Sequence, residues 1–219
     1  QKLEAENIRL SSANSINWGR LVPQIVYYFA SYFQLVNTGK ITMGERVDYC
    51  VPTGNFGDIL AGYYAKRMGL PVGTLVCASN RNNVLTDFIS TGTYDARREF
   101  HRTTSPSMDI LVSSNLERLL FHAAGSDKAV AGYMNELNQN GVYTVSPEVL
   151  AVIRENFACG CASDEEVAAE IKARYEQDHY LCDTHTAVAF KVAENYRART
   201  GSKAPMVVLS TASPFKFPC

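Results

Sequence analysis

VDYCVPTGNFGDILAG, residues 47–62, is the stretch of sequence that decides the fold of this chain. An apolar run typical of a buried strand ends at residue 51, and a helical pattern begins at Asp58. Glycines in the intervening loop let the backbone approach a ligand closely, and the first N–H groups of the following helix have no partner within that helix. The stretch therefore predicts a strand, a loop and a helix that together bind an anion.

The spacing of Gly54 and Gly57 indicates which class of anion the loop would bind. A Walker A loop needs Gly-Lys-Ser or Gly-Lys-Thr at its end, and a dinucleotide turn needs Gly-x-Gly-x-x-Gly. Neither pattern is present, so a small phosphorylated group matches the loop better than a nucleotide does. An ordinary tight turn, with Asp58 as the helix cap, is the alternative that spacing alone leaves open.

The rest of the chain alternates short apolar runs with helical patterns, which is typical of an α/β fold. Runs that are apolar on both faces favour an open, mostly parallel twisted sheet with helices on both faces. Strands are predicted at residues 8–12, 47–51, 72–78, 108–113 and 206–210, and helices at residues 18–35, 58–68, 84–90 and 186–199.

Residues 116–183 predict a helical insertion in this sheet. They lack a long β-branched run. Ser146 precedes a proline, and Ser163 is followed three residues later by Glu166, which are both signals of a helix start. We expect residues 1–219 to belong to a single domain that includes this insertion.

The composition excludes several classes of protein. Hydrophobic residues make up 46% of the 219 positions and charged residues 20%, a balance that excludes a disordered chain. The formal net charge of −1 gives no overall attraction to nucleic acid or to an anionic membrane. The longest apolar stretch, residues 21–36, contains Pro23 and polar residues, so no membrane span is expected. Six cysteines are too few for a disulfide scaffold at this length and favour a reducing cytoplasm.

A zinc site is the competing interpretation of the second half of the chain. Five residues of zinc-binding types lie there: Cys159, Cys161, His179, Cys182 and His185. Their spacing is not one of the recurrent zinc-finger spacings. The sequence therefore predicts no metal site.

The wording of residues 52–71 closely resembles the phosphate-binding segment of threonine synthases, which are pyridoxal-phosphate enzymes with a fold of the tryptophan-synthase-β type. Further segments resemble the same family in the same order: SANSINWGR (12–20), NVLTDF (83–88) with TGTY (91–94), SPSMDI (105–110) leading to SNLERLLF (114–121), DTHTA (183–187) and LSTASPFKF (209–217). The resemblance covers nearly the whole chain and identifies it as the C-terminal portion of such an enzyme domain.

The resemblance implies how pyridoxal phosphate is held. The cofactor phosphate would be bound by a loop of five residues, Gly54, Asn55, Phe56, Gly57 and Asp58, in agreement with the anion site predicted from the loop itself. The hydroxyl of Thr211 would face the pyridine nitrogen. A neutral hydroxyl, unlike an aspartate, does not enforce a protonated ring nitrogen. Without the resemblance, the favoured interpretation of Thr211 is a hydroxyl at a strand end that bonds to nearby backbone.

Ser15, Asn17 and Arg20 form the candidate substrate site. Asn17 and Arg20 are three residues apart, on one face of the predicted helix. The guanidinium group is a forked, permanently charged partner for carboxylate or phosphate. Our hypothesis is that this segment helps to bind an amino-acid phosphate. The alternative is that Asn17 caps the helix and Arg20 is an ordinary surface residue.

The activity implied by the resemblance is the conversion of O-phospho-L-homoserine and water to L-threonine and phosphate. In the family the Schiff-base lysine lies in a Phe-Lys-Asp context, before the segment with which this chain opens. Lys216, in Phe-Lys-Phe, belongs instead to the closing motif after Thr211. We therefore expect no catalytic lysine in this chain, which would be a fragment that is inactive alone.

Two other functions stay open at this point. One is a non-catalytic relative that binds a phosphate or another ligand. The other is a related pyridoxal-phosphate lyase that acts on serine or threonine, against which the segments at residues 105–110 and 117–121 argue.

Overall fold

The computed structural model describes residues 14–216. Its elements in chain order are α1 (Trp18–Asn37), β1 (Val47–Pro52), α2 (Gly57–Arg67), β2 (Val72–Ser79), α3 (Val84–Thr91), β3 (Thr93–Asp95), α4 (Leu116–Ala124), α5 (Asp127–Asn140), β4 (Val142–Thr144), α6 (Pro147–Asn156), β5 (Phe157–Cys161), α7 (Asp164–Asp178), α8 (Thr184–Thr200) and β6 (Met206–Val208). Two short 3-10 helices, Pro106–Met108 and Pro214–Lys216, complete the list. The predicted strand at residues 8–12 lies outside the described residues.

Four of the strands form one sheet, in the order β5-β2-β1-β6. All three pairings are parallel, with Tyr49 of β1 opposite Leu75 of β2 and Val207 of β6. The predicted α/β fold with a parallel sheet is therefore confirmed. A separate antiparallel pair, β3 with β4, stacks Tyr94 on Tyr143 with ring centroids 5.3 Å apart.

Helices cover both faces of the sheet. Tyr49 and Val51 of β1 face a core that includes buried residues of α1, α2, α3, α4 and α6. Cys50, between them, faces a second core formed with α7 and α8. Because successive side chains of a strand point to opposite faces, both faces of β1 must be apolar, and this explains its unbroken apolar run.

The prediction of a strand at residues 108–113 is wrong. Pro106 opens a 3-10 turn that ends at Met108, and the following residues run as irregular chain. The hydroxyl of Tyr94 donates to the Leu111 carbonyl at 3.0 Å and accepts from the Ser113 N–H at 2.8 Å. These side-chain bonds satisfy the backbone where a neighbouring strand would otherwise do so.

The segment at residues 116–183 is mainly helical, but it contains two strands that the sequence did not predict. Its helix starts are confirmed, because Ser146 caps α6 and Ser163 forms a capping box with Glu166 at the start of α7. β5, however, joins the main sheet beside β2. Gly160 of β5 has a packing reason, since a Cβ there would lie 2.9 Å from Val192 of α8.

No helix within residues 14–216 combines the length and the apolar character that a membrane span requires.

Candidate functional site

The loop between β1 and α2 has a backbone conformation that leaves the start of the helix uncapped. Phe56 adopts a left-handed conformation with φ of 61°, and its buried ring packs against Phe157 with centroids 5.6 Å apart. No side chain caps α2, which begins at Gly57. The first N–H groups of α2 are therefore not satisfied by the cap that most helices have.

The carbonyl groups of the same loop are already bound. The Gly54 carbonyl accepts from the Ser113 hydroxyl at 2.8 Å. The Asn55 carbonyl accepts from the backbone N–H of Asn115 at 3.1 Å and from its side-chain amide at 2.9 Å. Among the described residues the N–H groups at positions 56–58 have no acceptor. The loop therefore presents donors, and the macrodipole of α2 adds positive potential behind them.

Gly54 lies so close to the Pro106–Met108 turn that a larger residue would displace the loop or the turn. A Cβ at this position would lie 2.9 Å from the carbonyl oxygen of Ser107 and 3.1 Å from the Cα of Met108. Real Cβ atoms essentially never approach backbone so closely. The 3-10 turn at Pro106–Met108 thus presses directly on the loop.

The loop lines a cavity of about 670 Å³ at the end of the sheet. This volume is typical of small-molecule sites. Eight of the nine residues predicted for the site line it: Ser15, Arg20, Gly54, Asn55, Phe56, Gly57, Asp58 and Thr211. Residues that are nearly 200 positions apart in the sequence are therefore brought together.

Asn17 is the exception, because it is not among the lining residues. Its side-chain oxygen accepts a hydrogen bond from the Gly19 N–H at 2.9 Å and caps α1. Of the two interpretations of Asn17, the structure favours the helix cap.

The cavity wall also includes side chains that sequence reasoning did not place there, among them Gln24, Tyr27, His185 and Lys216. By residue type, His185 is a possible metal ligand and Lys216 a possible Schiff-base lysine, and neither interpretation places the residue in this cavity wall. Both lie in segments that resemble the family, and that resemblance was the available signal. The spacing of these two residues along the chain gives no indication that they lie in the cavity wall.

Asp58 is the acidic group of the loop at residues 54–58, which is the predicted anion-binding loop. Burial raises the pKa of its carboxyl from 3.8 to about 6, against the opposing effect of a hydrogen bond from Tyr28. The Tyr28 hydroxyl donates to the Asp58 carbonyl at 2.8 Å and lies 3.4 Å from the Asp58 carboxylate. Burial also raises the pKa of Tyr28 well above its usual value. Near neutral pH the loop therefore contains a carboxylate that is poorly solvated and close to where an anion would bind.

The structure also bears on the cysteine and histidine residues that are of zinc-binding types. Within the described residues, no group of three or more His, Cys, Asp or Glu side chains is arranged to hold a metal ion. The Cys159 thiol instead lies 3.3 Å from the Ser90 hydroxyl, and burial raises its pKa. Burial likewise raises the pKa of Cys182 to about 11. A high thiol pKa makes these cysteines weak nucleophiles.

Comparison with known proteins supports the resemblance seen in the sequence. The family model described as threonine synthase, C-terminal, matches residues 186–219. Threonine synthase-like 1 of Macaca fascicularis is 47% identical over 210 residues, which are 95% of this chain and 28% of the relative. The threonine synthase of Schizosaccharomyces pombe is 42% identical over 230 residues, which are 95% of this chain and 44% of the relative.

A solved structure agrees with these relatives. The crystal structure of PLP-bound threonine synthase from Brucella melitensis matches with a TM-score of 0.88 and 47% sequence identity, over 99% of this chain and 44% of that one. This chain thus spans less than half the length of each of these proteins. The resemblance to threonine synthases is confirmed, and it concerns their C-terminal part.

Proposed function

We propose, from the premise that this chain is the counterpart of the C-terminal part of threonine synthases, that the complete protein is a threonine synthase. Its reaction would convert O-phospho-L-homoserine and water to L-threonine and phosphate, with pyridoxal phosphate as cofactor. The observation that carries the proposal is the uncapped glycine loop, whose unpaired N–H groups line the cavity together with Thr211 and Arg20.

The residues of the cavity fit the cofactor. A phosphate dianion needs several donors and a close approach of the backbone, and the loop at residues 54–58 offers both. Thr211 lines the same cavity and supplies a neutral hydroxyl for the cofactor ring. When bound, pyridoxal phosphate would supply the electron sink that stabilises negative charge on the substrate carbons. The task of these residues is to hold and orient it.

Arg20 and Ser15 are the proposed contacts for the substrate phosphate. Both line the cavity, whereas Asn17 does not, so we no longer include Asn17 in this site. Lys216 adds a second positive charge to the wall. A leaving phosphate gains negative charge as its bond breaks, and fixed cations close to it stabilise that charge.

The lysine that binds the cofactor covalently is proposed to lie outside the eight lysines of this chain. Lys216 is the one that needs a direct test, because it lines the cavity. Borohydride reduction of the complete protein with its cofactor, followed by peptide mass mapping, identifies the modified lysine. A label on Lys216 would contradict this part of the proposal.

The activity is tested with the complete protein, pyridoxal phosphate and O-phospho-L-homoserine, by measuring threonine and phosphate release. Arg20→Ala should raise KM for the substrate by roughly tenfold to a hundredfold, because a hydrogen bond to a charged group is worth about 1.5–3 kcal/mol. Arg46→Ala is the matched control, since Arg46 is exposed and does not line the cavity. A normal KM in the Arg20 variant would contradict its role.

The same assay separates the alternatives. Cofactor binding without turnover of any substrate would indicate a non-catalytic relative. Turnover of serine or threonine to a keto acid would indicate a related lyase.

The described cysteines are all free thiols: Cys50, Cys77, Cys159, Cys161 and Cys182. We propose the cytoplasm as the compartment on that basis.

A further inference from the structure

His185 combines a position in the cavity wall with a ring whose two nitrogens both have partners. It lies at the start of α8 and is 2% exposed. Its Nε2 accepts a hydrogen bond from the backbone N–H of Ser107 at 3.2 Å. Its Nδ1 lies 3.0 Å from the carboxylate of Asp183. A backbone N–H can only donate, so the ring proton must be on Nδ1, where it is donated to Asp183.

Asp183 keeps the ring in this state. It caps α8, and its carboxylate also accepts from the backbone N–H groups of His185 at 2.9 Å and Thr186 at 3.3 Å. Burial opposes the charged form, but hydrogen bonds from His185 and Thr186 lower the pKa of Asp183 to about 2. The carboxylate therefore stays ionised across the physiological range and holds the proton on Nδ1. With the Nδ1 proton donated to Asp183, Nε2 is the ring nitrogen that accepts from Ser107.

The residue that His185 holds is the one that presses on the anion-binding loop. Ser107 lies in the 3-10 turn Pro106–Met108, and its carbonyl oxygen would be 2.9 Å from a Cβ at Gly54. The Met108 N–H closes the turn locally by donating to the Ser105 carbonyl at 3.0 Å. The residues on either side of the turn are held by the side-chain amide of Asn80, which donates to the Ser105 hydroxyl at 3.0 Å and to the Asp109 carboxylate at 2.8 Å. At Ser107, in the middle of the turn, the bond is to His185. The bond to His185 ties it to α8, which packs on β1, β2 and β5. Displacement of the turn would therefore be transmitted to Gly54.

We propose that His185 is a positioning residue for the anion-binding loop: through Ser107 it holds the Pro106–Met108 turn against Gly54 and so sets the position of the N–H donors. This role rests on the proposed function only in that the anion is taken to be the cofactor phosphate. It requires no contact between His185 and the cofactor.

Two variants of the complete protein, each of which keeps a polar group at the place of one ring nitrogen, separate this role from simple packing. The amide of glutamine reaches the place of Nε2, so His185→Gln keeps an acceptor for Ser107. The shorter asparagine reaches the place of Nδ1, so His185→Asn keeps a partner for Asp183 and loses Ser107. Both variants lose the ring. The readouts are the dissociation constants of pyridoxal phosphate and of inorganic phosphate, with the melting temperature of each ligand-free variant as the control for folding.

We expect His185→Gln to bind pyridoxal phosphate within about threefold of the wild type and His185→Asn to bind it roughly tenfold or more weakly, because in the asparagine variant the turn loses its bond to α8 and is no longer held against Gly54. Equal losses in the two variants, or no loss in either, would overturn the proposal. Should His185→Asn fail to fold, Gly54→Ala displaces the turn from the other side, and unchanged phosphate affinity in that variant would overturn the proposal as well. A wild-type protein that binds no pyridoxal phosphate would instead refute the proposed function.

Discussion

Asp58→Asn tests whether burial destabilises the ionised carboxylate of Asp58 in the proposed anion-binding loop. In the folded chain the pKa of Asp58 is about 6, against an ordinary value of 3.8. The difference is about two pH units, and at 1.36 kcal/mol per unit the ionised carboxylate costs about 3 kcal/mol of folding free energy. Replacement by the neutral amide removes this cost and retains an acceptor for the Tyr28 hydroxyl.

The sign follows from proton binding. Below about pH 4 the carboxyl is protonated in both the folded and the unfolded chain, and it contributes no pH dependence. Between about pH 4 and pH 6 the folded chain binds the proton more strongly, so stability falls as the pH rises. Above about pH 6 both forms are ionised and the full cost is present. Relative to Asp58→Asn, the wild type should therefore lose about 3 kcal/mol of stability between about pH 4 and pH 7.

The measurement is urea unfolding of this chain and of the variant across that pH range, taken as a difference so that other titrating groups cancel. Asp127→Asn is the matched control, because Asp127 is also in the first turn of a helix but is exposed. At about pH 7.5 the Asp58 variant should also bind inorganic phosphate more tightly, since a like charge near the anion is removed. A stability difference that does not change with pH would refute the reasoning.

Four further substitutions, in two pairs, test the packing around one glycine and the cap of α7. Gly62→Ala should destabilise the chain by roughly 1–3 kcal/mol in urea unfolding, because the new Cβ would lie 2.5 Å from the Tyr28 ring. Gly132→Ala has open space around its Cβ and should stabilise the chain by about 0.5–1 kcal/mol. A stability change of the same sign in both variants would contradict the packing argument. Ser163→Ala should cost about 1 kcal/mol because it removes the capping box of α7, and Ser163→Asp should restore most of that loss in the same measurement. Equal stability of the alanine and aspartate variants would show that the cap has no energetic role.

Local patterns in the sequence were sufficient to predict the strand, loop and helix start around which the fold is built. The strand ending near residue 51, the glycine loop and the start of α2 were all predicted, because their signals lie within a few residues of one another. The capping box at Ser163 is of the same kind, since a serine and a glutamate three residues apart complete it alone.

The two errors in the sheet concern contacts that are distant in the sequence. Residues 108–113 have an apolar run, yet their backbone groups are satisfied by Tyr94 and not by a strand. Residues 158–161 have small side chains, yet they pair with β2, and Val192 of α8 packs close to Gly160. Whether an extended run becomes a strand depends on a partner elsewhere in the chain, and local composition does not encode that partner.

The sequence by itself determined the resemblance to a family and predicted the loop at residues 54–58, since the signals for that loop lie between one strand end and one helix start. Only the tertiary structure decided what surrounds that loop. It brought Arg20, Thr211 and Lys216 to the same cavity and turned Asn17 to the cap of α1. It also placed His185 behind the turn that touches Gly54. The physical reason is that parallel strands align their carboxyl ends at one edge of the sheet, so segments far apart in sequence converge there, and no local pattern records that convergence.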